Sequence, residues 1–198
     1  MTEASHQMTS NPLPPAKAIP GSVGIAAGPE VAVLTREKKV LNRNATGEVL
    51  IKGTNVFSGY LNNPEANSES FVEGWFKTGD EGKLDTRGFL TITGRLKEII
   101  NRGGEKIMPK EIDEIVLLHP SVEQAVTFSV PHEILGEEVG LAVVLKKDKF
   151  ADTKILKAFC EMRLAKFKVP SKIFFLEEIP KGSTGKLQRI GLAKKLGI

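Results

Sequence analysis

Lys186 closes a loop, Pro180-Lys181-Gly182-Ser183-Thr184-Gly185-Lys186, in which two glycines flank a serine and a threonine. A lysine carries a compact point charge on a long stem, suited to a phosphate oxygen or a carboxylate. Glycines on either side lower the steric cost of the backbone angles that a moving loop needs. Such a loop could carry an ammonium group into a pocket and out again. The bland alternative is a solvated turn, and the loop alone does not decide between them. Three further elements precede it: Thr2-Glu3, then Lys77-Thr78-Gly79-Asp80, then Gly94-Arg95-Leu96-Lys97-Glu98 running into Asn101-Arg102-Gly103-Gly104-Glu105-Lys106.

In this order and at these separations, the four motifs resemble the carboxyl half of the acyl-adenylate-forming superfamily of acyl-CoA synthetases, luciferases and peptide-synthetase adenylation domains. The likeness covers essentially the whole chain. The runs from Met1 to Pro14 and from Ile99 to Pro109 are similar to the oxalate-activating branch of its acid–CoA ligases. The chemistry so implied joins a carboxylate to the α-phosphate of ATP and then passes the acyl group to coenzyme A. Both first reactants are anions, so catalysis must neutralise charge and align them.

The resemblance assigns roles residue by residue. Thr2 would touch the nucleotide phosphate and Glu3 would ligate Mg²⁺, for which a carboxylate is a suitable hard ligand. Asp80 would accept hydrogen bonds from the ribose hydroxyls, with Arg95 in support; read alone, Asp80 is a turn residue. Lys97 would be the hinge about which a small domain swings between an adenylating and a thioester-forming pose. Gly103 and Gly104 would line the path of the CoA arm in the second pose; a tight hairpin is the structural alternative. Lys186 would bridge substrate carboxylate and α-phosphate. His6 and Ser5 fall where the superfamily builds its acyl pocket. A small dianion such as oxalate needs donors there rather than an apolar slot, and aryl or fatty acids are the alternative substrates. A structurally bonded histidine is an equal reading of His6. His119 and His132, each beside a proline, read as structural.

The Tyr-Gly that precedes Thr-Glu in the superfamily motif is absent, as is the phosphate loop expected further upstream. The full reaction is therefore expected of a longer protein, with an N-terminal half as partner, and the fragment alone is expected to be inactive. A non-catalytic module that binds a partner or a polyanion is the other class of function to be weighed.

Composition bounds these readings. Apolar residues make up 40% and charged residues 26% of the 198, which is ordinary for a globular chain. Residues 146–198 hold 14 Lys/Arg against 5 Asp/Glu, and residues 1–145 hold 14 against 19. The basic tail lacks interleaved aromatics, so ATP, pyrophosphate and CoA rank above nucleic acid as partners. The single cysteine, Cys160, excludes an internal disulfide framework and reads as a core residue. No apolar run reaches the ~20 residues of a membrane span. The C-terminal Lys194-Lys195-Leu196-Gly197-Ile198 is not a Ser-Lys-Leu peroxisomal address, so a cytoplasmic location is expected.

The elements that must position these residues give an α+β chain. Residues 1–94 are expected to be the incomplete end of a large AMP-binding domain, a small β-barrel-like subdomain with an extended, proline-rich start. Its short runs are Glu30–Leu34, Gly47–Lys52 and Phe89–Thr93, with a helix beginning at Pro64. Residues 95–198 are expected to form a compact α+β C-terminal lid domain. Its predicted order is a helix from Pro109 to Leu118, strands over Val122–Val130 and Val139–Leu145, a helix capped by Asp152, a strand over Lys172–Leu176, a loop and a final helix. Val122, Val126, Phe128 and Val130 are expected on one side of their strand. Ile155, Leu156, Phe159 and Leu164 are expected on one helix face.

Overall fold

The computed structural model describes every residue except Ser183, Thr184 and Lys186. The chain divides into two units, Met1–Leu96 and Lys97–Ile198.

The first unit opens with a 3₁₀ turn, Thr2–Ala4, and the two-residue strands β1 (Thr9–Ser10) and β2 (Ile25–Ala26). A six-stranded sheet follows, from β3 (Glu30–Leu34), β4 (Val40–Leu41), β5 (Ala45–Lys52), β6 (Phe71–Val72), β7 (Trp75–Leu84) and β8 (Leu90–Arg95). Its order is β4-β3-β5-β7-β6, with β8 also paired to β7, so the sheet is open. The barrel-like end expected of this region is thus not a closed barrel among the described residues. Among these residues β7 pairs with β5, β6 and β8, whereas β4 at the far edge pairs with β3 alone, so no pairing joins the two ends of the sheet. The one helix, α1 (Pro64–Ser70), starts where the sequence marks it: Pro64 needs no amide partner at that position, and the Asn63 side chain accepts from the Ala66 N–H. The core comprises Val31, Val33, Val49, Ile51, Phe76, Leu84 and Leu90, together with Ala4.

The second unit begins in a 3₁₀ turn, Leu96–Glu98. It continues as β9 (Ile100–Arg102), β10 (Glu105–Ile107), α2 (Pro109–Leu117), β11 (Val122–His132), β12 (Gly136–Leu145), α3 (Thr153–Glu161), β13 (Lys172–Phe175) and α4 (Leu192–Lys195). The sheet runs β10-β9-β12-β11, and β13 joins β12 in parallel. β12 is buried on both faces. Val139, Leu141 and Val143 meet the cluster that holds Ile112 and Val116 of α2 and Leu156 and Cys160 of α3. Ala142 and Val144 meet Ile179 and Leu192 on the other face. A strand covered on both sides reads as a continuous apolar run, as Val139–Leu145 does.

Two face assignments need correction. A β-bulge between Val122 and Gln124 adds one residue to β11. Val122 therefore packs with the helices, whereas Val126, Phe128 and Val130 pack on the opposite face. In α3 the buried pair is Leu156 and Cys160, one turn apart, and Ile155 stays 41% exposed. Among the described residues no helix is long and apolar enough to cross a membrane.

Candidate active-site elements

In the first unit, the N-terminal turn is docked by its backbone. Ala4 is fully buried. The Phe57 N–H donates to the Glu3 carbonyl (2.8 Å), and Asn55 Nδ2 donates to the carbonyls of Ala4 (3.1 Å) and Gln7 (2.9 Å). This leaves Thr2, Ser5 and His6 exposed and Glu3 half-buried. Ser5 and His6 both adopt positive φ, 49° and 66°. Side chains rarely take up that region without an outside constraint, here supplied by Asn55. The Ser5 hydroxyl donates to the Asn55 carbonyl at 3.3 Å. Tyr60 Oη donates to Glu3 Oε1 at 3.4 Å, and burial and the Glu3 charge push the Tyr60 phenol up. Tyr60 packs edge-on against Phe57, which does the same with Phe76 of β7, so the Glu3 carboxylate stands on an aromatic base. Sequence reasoning missed Asn55 and Tyr60, which lie about fifty residues from the turn they hold.

Asp80 and Arg95 are register partners on β7 and β8, and their side chains meet at 2.8 Å (Arg95 Nε to Asp80 Oδ1). The approach to Asp80 is shaped locally. The Thr78 hydroxyl is buried and donates to the Val49 carbonyl (2.9 Å), while the Asp80 N–H donates to the same hydroxyl (3.2 Å). Gly79 between them has φ +74°, and a Cβ there would meet open space, so a ligand can come close. Asp80 and Arg95 are thus brought together, as a carboxylate with a guanidinium behind it.

In the second unit, Lys97 lies exposed on the 3₁₀ turn Leu96–Glu98. Gly103 and Gly104 form the two-residue turn of the β9–β10 hairpin, with φ of 56° and 96°. Positive φ at both positions matches the twist that a tight hairpin requires, which is why two glycines stand there. The hairpin is braced by three contacts. The Gly103 N–H donates to the Leu135 carbonyl (2.9 Å), the Asn101 N–H to Glu137 Oε2 (2.5 Å) and Arg102 Nε to Glu138 Oε1 (2.7 Å). Burial works to raise Glu138, but the Arg102 guanidinium and the Val139 N–H outweigh it, and its carboxyl lies below the usual glutamate value.

Lys186 lies outside the described residues, but the feet of its loop do not. Lys181 and Leu187 form an antiparallel bridge, and the Gln188 N–H donates to the Pro180 carbonyl at 2.8 Å. Arg189, which sequence reasoning also missed, is bonded to Glu98, Asp113 and the Thr127 carbonyl. Burial pushes the Asp113 carboxyl up against the opposing pull of Arg189.

The remaining titratable candidates are structural. His119 is buried edge-on to Phe159, and its pKa is lowered by burial and by Arg163. His132 Nδ1 accepts from the Ile134 and Leu135 N–H groups in a turn. Burial pushes the Cys160 thiol up to about 11, which leaves it protonated and inert. Among the described residues no cluster of three or more His, Cys, Asp or Glu could hold a metal by itself. A lone carboxylate such as Glu3 fits Mg²⁺ when nucleotide phosphates complete the shell.

Residues 1–61 match the model of the AMP-binding enzyme family, and residues 111–186 match that of the AMP-binding enzyme C-terminal domain. An oxalate–CoA ligase of Saccharomyces cerevisiae is 50% identical over 98% of this chain and 36% of its own length. One of Arabidopsis thaliana is 50% identical over 96% of this chain and 37% of its own. The ATP-bound structure of MatB from Rhodopseudomonas palustris superposes with a TM-score of 0.89 at 36% identity, over 98% of this chain and 39% of that one. The chain therefore spans little more than a third of the length of these proteins.

Proposed function

The chain belongs to the AMP-binding enzyme family, and we propose that it is the C-terminal part of an ATP-dependent acid–CoA ligase whose acid is oxalate. The observation that carries this is the 50% identity to two oxalate–CoA ligases, one from yeast and one from a plant, along nearly the whole chain. In this reading residues 1–94 end the large AMP-binding domain, and residues 95–198 form the mobile C-terminal domain, pivoting at Lys97.

In the first half-reaction an oxalate oxygen attacks the α-phosphorus of ATP, and the bond to pyrophosphate breaks. Asp80 holds the ribose hydroxyls, and Arg95 fixes its carboxylate. Thr2 touches the phosphates, and Lys186 neutralises the charge gathering between oxalate and α-phosphate. Glu3 would hold Mg²⁺, which when bound supplies charge compensation for the polyphosphate. His6 and Ser5 offer donors to the second carboxylate of oxalate. In the second half-reaction the CoA sulfur, having lost its proton, attacks the acyl carbon and AMP leaves; Gly103 and Gly104 let the CoA arm lie close to the backbone.

The test is acid-dependent pyrophosphate release with ATP and Mg²⁺, using the chain carried to the length of its relatives. Release with oxalate, reduced about 10²–10³-fold in Lys186→Ala, is expected, the size of a transition-state charge contact. Release with aryl or fatty acids but not oxalate would overturn the assignment of His6 and Ser5. If no acid tried supports release, a non-catalytic module becomes the leading function.

A further inference from the structure

We propose that Arg189 and Glu98 form a positioning clamp for the Lys186 loop, an inference that rests on the adenylating role given to Lys186. Arg189 follows Lys186 by three residues. Its guanidinium is only 16% exposed and is spread over three partners from three different elements. Nε donates to Glu98 Oε2 (2.8 Å), Nη2 to Asp113 Oδ2 (2.7 Å) and Nη1 to the Thr127 carbonyl. Burial alone would lower its pKa, but the carboxylates of Asp113 and Glu98 outweigh that, so it stays charged.

Glycines such as Gly182 and Gly185 allow a chain many backbone conformations, and a lysine has four rotatable bonds of its own, so a lysine in such a sequence needs anchors. A charge contact made only in the transition state loses its value when the charged group is misplaced by about 1 Å. The anchors answer this. The bridge between Lys181 and Leu187 closes the base of the loop, and Ile179 and Leu192, both fully buried, fix the chain on either side. Within that frame Arg189 sets the direction in which the chain leaves the loop. An arginine suits the task because its planar fork satisfies several acceptors at once in one geometry. Glu98 lies beside Lys97 in the same 3₁₀ turn, so the clamp ties the lysine loop to the residue next to the pivot. Neither residue touches substrate; both act through Lys186.

Glu98→Gln is the informative variant. A cleft of about 350 Å³ opens on Glu98 and Arg189, so the amide stays hydrated and no buried charge is orphaned. Arg189→Lys, which keeps the charge but not the fork, is the second variant. Each is made in the chain carried to the length of its relatives, alone and together with Lys186→Ala. Three quantities are measured: oxalate-dependent pyrophosphate release, thioester formation from chemically prepared oxalyl-adenylate and CoA, and Tm. The clamp predicts a loss of about ten- to a hundredfold in kcat for pyrophosphate release, with KM for ATP within about twofold. Thioester formation should change less than about twofold, and neither variant should lower release further once Lys186 is alanine. Equal losses in both half-reactions, or the same loss in the Lys186→Ala background, would mean a structural role only and overturn the clamp. Unimpaired release in both variants while Lys186→Ala is inactive would sink the clamp alone. Unimpaired release in Lys186→Ala would sink the clamp and the functional reading together.

Discussion

Replacing Arg102 with methionine should destabilise the second unit by about 2–3 kcal/mol at neutral pH. Glu138 is 8% exposed at its side chain and accepts from Arg102 Nε (2.7 Å) and the Val139 N–H (2.8 Å). Methionine matches the arginine stem but leaves that carboxylate with one backbone donor. Breaking a fully buried pair costs about 3–5 kcal/mol, and a single charged hydrogen bond is worth about 1.5–3. Arg102 is 30% exposed, so its partner can be reached by water, and the lower part of that span applies. For a unit of about a hundred residues this lowers Tm by about 10–20 °C. The loss must also depend on pH. In the native chain the folded value for Glu138 lies below its unfolded one. Its contribution is therefore full above the unfolded value of about 4.3 and is lost as pH falls through the folded value. Without Arg102 the burial effect prevails, the folded value rises above the unfolded one, and stability falls as pH rises through it. The gap between the two proteins should thus be wide at pH 7.5 and at least halve near pH 4. The molecule offers a clean assay. Its single tryptophan, Trp75, and single tyrosine, Tyr60, both lie in the first unit. Tryptophan fluorescence follows that unit, and far-ultraviolet circular dichroism follows both. The urea transition seen by dichroism should split, with its second-unit component moving and the Trp75 transition staying in place. A shift of equal size at pH 4 and 7.5, or one as large in Glu138→Gln, which keeps an acceptor for both donors, would refute the reasoning.

Cys160 should react with a disulfide reagent at pH 8 about 100-fold more slowly in the native protein than in guanidinium, since its thiol is pushed up to about 11. That raised value also means stability is full below the unfolded thiol value and is lost as pH climbs through 9 towards 11, which an alkaline unfolding titration of Cys160→Ala against the parent would expose. Gly104→Ala, at φ +96° with open space around its Cβ, should cost about 1–2 kcal/mol of backbone strain and slow the thioester step more than pyrophosphate release; equal slowing of both would contradict the CoA-loop role. Asp80→Ala should raise KM for ATP about 10–100-fold by removing charged hydrogen bonds to the ribose, while unfolding by urea shifts by less than about 1 kcal/mol because Arg95, its partner, is 59% exposed. An unchanged KM would remove Asp80 from the nucleotide site.

What could be read from the residues was whatever is encoded over a few positions. Asn63-Pro64 marks the start of α1, Asp152 caps α3 by accepting from Ile155, and Pro109 opens α2, each through a side chain acting within one turn. The errors arose where a strand departs from its period or buries residues that are not apolar. The bulge at Val122 moved that residue into a different core, and β7 went unread because two of its inward positions are Thr78 and Gly82, which carry no apolar signal although the alternation holds. The candidate site divides in the same way. Gly103-Gly104 is a hairpin turn by local rules alone. The pairing of Asp80 with Arg95 depends on the register of β8 against the unread β7, and only the resemblance hinted at it. Arg189 meets partners 91, 76 and 62 residues away, and no short window of sequence contains it together with any of them. The groups that could do chemistry therefore sit in short legible motifs, while those that hold them still are drawn from the whole unit. Glu98, read as part of the hinge motif, is the one residue that belongs to both sets. A change at Glu98 is for that reason the sharpest probe of whether the lysine loop and the pivot act as one piece.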